Sequence, residues 1–262
     1  MFLKRGIGYS VLVLSMLVIA CATTSQNTEG VKSVSRGIAI MVDASTVNQS
    51  TIGNDDFPIA DNRAVAELTA GTVKTVLESK GMTLAGTPRT SIGARTTGSQ
   101  YKLINPDGTK TETSESVQPP FAASPELDVN GRKQLNELYR SLVRKHTAPL
   151  APPSPPTSID PSLLSNVQGD GVLVVICEGR SPSAGSRAAA VGTAFVAVVA
   201  AAAGGSSDVK GEIRTQSKAE IYLIRRSNGA VLWHDEEEAH DLTPQFFAES
   251  VKRMLEKLPR AN

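Results

Sequence analysis

The sequence predicts an α/β chain: a small mixed sheet with helices packed on it, an α+β-like arrangement ending in a β-hairpin and a closing helix. Three observations predict it. Gly37–Asp43 and Asp170–Cys177 are short continuous apolar runs, the pattern of strands buried on both faces. Glu212–Arg226 alternates apolar and polar residues and leads through Asn228-Gly229 into a return segment, Ala230–Glu238. Asp61–Lys80, Leu127–His146 and Thr243–Leu258 carry apolar residues at helical spacing. Strands interleaved with amphipathic helices bury their apolar faces by stacking in layers.

The chain begins with an address. Lys4 and Arg5 precede an apolar run, Ile7–Ala20, which closes on Val18-Ile19-Ala20-Cys21. A charged start, a short apolar stretch and a small residue at the cut make a secretory signal peptide. The run is shorter than the ~20 residues of a spanning helix, and the cysteine stands where a lipobox places it. Residues 1–20 are therefore expected to be removed and Cys21 to carry thioether lipid and palmitate. Ala22, rather than Asp, follows Cys21. Under the sorting rule of Gram-negative lipoproteins this favours the outer membrane, facing the periplasm. Residues 21–35 are rich in Ser, Thr, Gln and Asn and read as a flexible tether.

Residues 36–262 are expected to form one domain. Its first strand is Gly37–Asp43, followed by a polar loop over Thr46–Pro58. Asp61 suits the N-cap of the next helix, with Ala64, Leu68, Val73, Val76 and Leu77 inward. Gly81 suits its end. Met82–Ala85 is a weak second strand, and Gly86–Ser99 has no readable pattern. Asn105-Pro106-Asp107-Gly108 is a turn signature between Tyr101–Asn105 and Thr109–Thr113, which predicts a small, mostly exposed hairpin. Leu135, Leu138, Leu142 and Val143 form the stripe of the second helix. A Pro-rich excursion, 147–161, forbids helix and holds the chain extended. Asn228-Gly229 predicts a two-residue type I′ turn, setting Ile224 opposite Trp233 and Leu223 opposite His234. Thr243-Pro244 opens the last helix and Pro259 stops it.

Bulk composition excludes several functions. The formal net charge is +1, and loss of Lys4 and Arg5 with the leader carries it to the negative side. No electrostatic footprint for nucleic acid or for an anionic membrane surface follows. Of two cysteines, Cys21 takes lipid and Cys177 is left alone, so no disulfide framework is expected. Aromatic residues are 4%, too few for a surface that grips sugars or bases by stacking.

The order of elements behind a lipobox resembles a group of envelope lipoproteins. The group includes the curli secretion lipoprotein, the penicillin-binding-protein activator lipoproteins and the TolB amino-terminal domain. The matching features are Gly37–Asp43, Asp61–Lys80, Asp170–Cys177 and the hairpin ending Asn228-Gly229-Ala230-Val231-Leu232-Trp233. The departures are the hairpin at Asn105, the Pro-rich excursion and an apolar insert after Cys177. The resemblance implies a non-enzymatic accessory role in transport, secretion or cell-wall assembly, and it transfers no catalytic residue.

Candidate chemistry is sparse. His234-Asp-Glu-Glu-Glu-Ala-His240-Asp241 is the densest ligand cluster. On a strand His234, Glu236 and Glu238 share a face, and His240 could join them, a donor set suited to Zn or Mn. The plainer reading is a charged, solvated strand end. Gly179–Arg187 follows a buried strand, where a phosphate loop would sit, but it lacks the Lys and the glycine spacing, and no Gly-x-Ser-x-Gly occurs there. Asp43, Asp55, Asp56 and Asp61 cluster around the first strand–helix connection and read as cap and loop residues. No cofactor is expected.

The apolar insert spans 185–207, with Ala188–Gly205 built mostly of Ala, Val and Gly. It lacks the alternation of a pore-forming hairpin. A buried core helix, a small-residue helix packing against other protomers or the bilayer surface, and an apolar loop all fit it. Its expected interaction residues are Ala188, Val191, Phe195 and Val198. The preferred function is an envelope lipoprotein that binds other envelope proteins, as a homo-oligomer or otherwise, with no nucleic-acid partner. The alternative is a metal-binding protein or enzyme using His234–Asp241.

Overall fold

The computed structural model describes residues 27–50, 54–96, 101–114, 117–142, 154–182 and 215–261. The leader, Cys21, residues 147–153 of the Pro-rich excursion, and the insert with Ala188, Val191, Phe195 and Val198 lie outside the described residues.

The sheet is mixed and nine-stranded, in agreement with the expected class. At its centre β1 (Ile38–Gln49) runs parallel to β7 (Gly171–Pro182), paired from Ile38↔Gly171 to Gln49↔Pro182. Strand β8 (Gln216–Arg225) lies antiparallel to β7, and β9 (Val231–Ala239) antiparallel to β8 at one edge. The other side of β1 forks. Its middle pairs in parallel with β3 (Arg89–Ile92), which carries β6 (Ala122–Ser124). Its end meets β2 (Asp55–Pro58), followed by β4 (Tyr101–Ile104) and β5 (Lys110–Glu112). The central strands are apolar on both faces because both faces are covered.

One face packs under α2 (Ile59–Ser79) and α4 (Pro244–Glu256) through Ile40, Val42, Val175, Ile221 and Trp233. The other packs under α3 (Val129–Ser141) and the 3-10 turn Pro161–Leu164 through Met41, Val172, Val174 and Ile224. Thr243 caps α4, its hydroxyl accepting from the Phe246 N–H. Lys80 Nζ donates to the carbonyls of Glu256 and Leu258, fastening the end of α4 to the end of α2. At Gly81 (φ +77°) the chain closes α2: the Gly81 N–H bonds the Glu78 carbonyl and the Met82 N–H that of Leu77. That is the Schellman arrangement.

Several expectations are corrected. A short helix, α1 (Thr28–Ser33), is capped by Asn27, and Val31 and Val34 are buried in the core. The domain therefore includes Asn27–Ser35, which the expected tether 21–35 had claimed; two valines three apart outweigh the polar composition around them. The loop Thr46–Pro58 is largely strand, since β1 continues to Gln49. Asp61 lies inside the first turn of α2, not at its cap, and Pro58 precedes the helix without a side-chain cap bond. Ala64 and Leu68 face outward, Leu68 at 41% exposure. The inward face instead takes Asn62 and Thr69, because Asn62 bonds Thr46 at both its N–H and its carbonyl. Met82–Ala85 contributes a single bridge, Leu84 to Ile38. The hairpin at Asn105 forms, but Tyr101 and Leu103 are buried where β4 joins β2.

The last hairpin has its own correction. Asn228 is not at positive φ; Gly229 is, at +68°. The Arg225 N–H bonds the Ala230 carbonyl, so four residues form the loop. A bulge follows, and Leu223 opposes Trp233 while Tyr222 opposes His234.

Candidate functional site

Strand alternation puts polar residues in register on the α3 face of the sheet. Asp43, Ile176, Glu220 and Glu236 form one row across β1, β7, β8 and β9; Ser45, Glu178, Lys218 and Glu238 form the next. The face is completed by the turn after β3, which carries Arg95.

Asp43 holds that turn. Fully buried, it accepts from Ser91 Oγ at 2.7 Å, Ser45 Oγ at 2.8 Å and the Ala94 N–H at 3.0 Å. Burial pushes its carboxyl above the usual carboxylate range, and these donors offset part of that. The turn delivers Arg95 to two acids: its Nε lies 3.1 Å from Glu178 and its Nη1 2.5 Å from Glu220. Lys218 Nζ lies 2.8 Å from the other oxygen of Glu220 and 3.0 Å from Glu236. Burial alone would raise the Glu220 carboxyl, but Arg95 and Lys218 outweigh it and hold it below the usual range. Glu178 is pushed up, because burial exceeds the pull of Arg95.

Above this network opens a cleft of about 660 Å³, lined by Ser45, Arg95, Glu178, Arg180, Lys218 and His240 among others. Its size suits a small ligand or a peptide side chain. Its lining is mixed, with Val47 and Tyr101 beside the polar groups, and Arg95 and Lys218 are already matched by carboxylates.

The residues expected to hold metal are partly brought together. Ligand atoms of Glu220, His234 and Glu236 lie within 4.8 Å of one another. His240 is elsewhere, its Nδ1 2.8 Å from the Thr215 carbonyl. Lys218 already contacts both carboxylates, so its ammonium competes with a metal ion for them. The strand end is not simply solvated either: on its other face Asp235 pairs with Lys257 at 2.7 Å, and Glu237 with Arg253. Among the described residues, the cluster shows no activated nucleophile: the Cys177 thiol is buried on the opposite face and pushed up to about 12 by burial.

Sequence reasoning missed Arg95, Glu178, Lys218 and Glu220 as a group. Lys218 and Glu220 were visible as one face of an alternating strand, but nothing local says that this face is buried. Arg95 falls in the stretch without a pattern.

No protein-family model, curated protein or solved structure matches the chain.

Proposed function

We propose that the chain is a lipid-anchored bacterial envelope protein, held in the outer membrane and facing the periplasm. It serves as a non-enzymatic accessory or assembly factor by binding other envelope proteins, as the resemblance implies. The observation that supports this is the placement of two attachment points on one strand stack. Asn27, the first described residue after the lipobox, donates its N–H to the Leu232 carbonyl, beside the row of Leu173, Leu223 and Trp233. At the far end of the sheet β7 ends at Pro182 and β8 begins at Gln216, with Arg180↔Gln216 as their last pair, so the residues flanking 183–214 lie there. At roughly 3.3 Å per residue, Leu173 to Pro182 spans about 30 Å. The described residues that flank the anchor and the apolar segment, Asn27 on one side and Pro182 and Thr215 on the other, thus lie at opposite ends of the sheet, which supports a role in holding the segment apart from the anchor.

The test uses two variants of the full chain in cells. Cys21→Ser abolishes lipidation and should leave the protein soluble or as an unprocessed precursor. Replacing 185–207 with a short Gly/Ser linker should leave an anchored, folded protein that loses crosslinks to itself or to envelope partners. A processed, membrane-bound Cys21→Ser protein would refute the anchor, and unchanged crosslinking of the linker variant would refute the role of the segment.

The convergence of Glu220, His234 and Glu236 favours one second reading, a metal-binding protein. Lys218 weighs against it, since a metal would have to displace the ammonium from two carboxylates.

A further inference from the structure

At the anchored end of the sheet the surface is basic. Arg225 and Arg226 stand at the β8–β9 turn and are held in place: Arg225 Nη2 donates to Ser33 Oγ at 2.9 Å, and Arg226 Nε to the Gly169 carbonyl at 2.6 Å. Together with Ser33, Val34, Asp170 and Ser227 they line a concavity of about 260 Å³. Lys32 and Arg36, both exposed, flank Ser33 along the chain. Among the described residues the acids near this face are Glu29, in the first turn of α1, Asp160, exposed where Ile159 and Pro161 meet Gly229, and Asp170, against the four cations Lys32, Arg36, Arg225 and Arg226.

We infer that the face formed by α1 and the β8–β9 turn lies against the anionic phospholipid headgroups of the bilayer that holds the lipid on Cys21. The inference rests on the lipid-anchor reading and deepens it. Only residues 22–26 separate Cys21 from Asn27, so the start of α1 stays within about 20 Å of the lipid whatever that segment's conformation. The patch that the short leash holds against the membrane is the one that carries Lys32, Arg36, Arg225 and Arg226. Each cation near an anionic surface strengthens attachment, and a lipid with a basic patch makes a two-part anchor. The guanidinium groups are already ordered by Ser33 and Gly169, so little freedom is lost when headgroup phosphates meet them. The domain then stands on this end, with the cleft and the exit of 183–214 turned away from the bilayer.

The experiment uses the lipidated protein in vesicles of phosphatidylcholine with or without phosphatidylglycerol. A fluorophore is attached to Ser227→Cys or, in a second protein, to Glu238→Cys at the other end of β9. Cys177 is buried and protonated and does not compete for the label. Energy transfer to a headgroup-labelled lipid should be strong from position 227 and weak from 238 when phosphatidylglycerol is present. The difference should be lost in Lys32→Glu/Arg36→Glu, and lost at high salt, which screens the attraction. Equal transfer from both positions, or transfer indifferent to phosphatidylglycerol and to charge reversal, would overturn the inference while co-flotation with the vesicles kept the anchor. A protein that does not float at all would sink the anchor reading, and this inference with it.

Discussion

Gly229 lies against the carbonyl of Ile159, so close that a Cβ at position 229 would come 1.9 Å from the oxygen. The contact is part of a bridge: the Ile159 N–H donates to the Gly229 carbonyl, and the Val231 N–H to the carbonyl of Thr157. The Pro-rich excursion is thereby stitched to the start of β9, and the edge strand is covered there. Gly229→Val meets both a positive φ and a backbone clash. It should cost about 2 kcal/mol or more, read as a lower denaturant midpoint. An unchanged midpoint would mean that residues 157–159 do not rest on this turn.

The Arg95 network predicts a pH signature. Arg95→Met leaves Glu178 and Glu220 facing each other without their shared cation, and should destabilise by roughly 3 kcal/mol at neutral pH. Glu220 is held below its ordinary range, so its contribution is present above that range and is lost as pH falls through its lowered value. Glu178 works the other way: pushed up, it costs stability as pH rises and it ionises. Both effects make the variant's deficit shrink in acid. Urea titrations of both proteins across the acid range check this, and a deficit independent of pH would show that Arg95 acts through packing alone.

Cys177 should be silent. It is fully buried beside Thr69, and its thiol is pushed up to about 12. At mildly alkaline pH a thiol reagent should label it only as fast as the domain unfolds. Rapid labelling of the folded protein would mean that α2 does not close over β7.

Glu220 and Glu236 are both paired with Lys218. Elemental analysis of the purified protein should find no stoichiometric zinc. His234→Ala should cost about 1 kcal/mol through lost ring packing, because the His234 and Tyr222 ring centroids stand 4.6 Å apart. Zinc retained in one-to-one amount and lost in His234→Ala would establish the metal reading instead.

How far the sequence was legible follows from which forces are local. The central strands at Gly37–Asp43 and Asp170–Cys177, the three long helices, the stop at Gly81, the turn at Asn105–Gly108 and the opening at Thr243-Pro244 were all readable. Hydrophobic periodicity, capping and turn chemistry act over a few residues, and each leaves its mark there. The hairpin at Asn228-Gly229 was legible as a turn but not in its register. The Pro-rich segment pairs with Ala230 from far away in the chain and selects the four-residue loop, and a one-residue difference in pairing changes every opposing residue. The inward face of α2 was misjudged at Ala64 and Leu68, because the bonds that draw Asn62 inward come from Thr46 on another element. The charged site was decided by tertiary structure alone. Asp43, Arg95, Glu178, Lys218 and Glu220 belong to four separate stretches of chain. Their meeting depends on the parallel register of β1 with β7 and on a turn fixed by one buried carboxylate. By itself the sequence determined the layered α/β class and the apolar character of 185–207, and it carries the expectation of a lipid anchor at Cys21. Which charges face one another, and at which end of the sheet Asn27 meets β9, only the fold could decide, because strand pairing across long loops has no short-range signature.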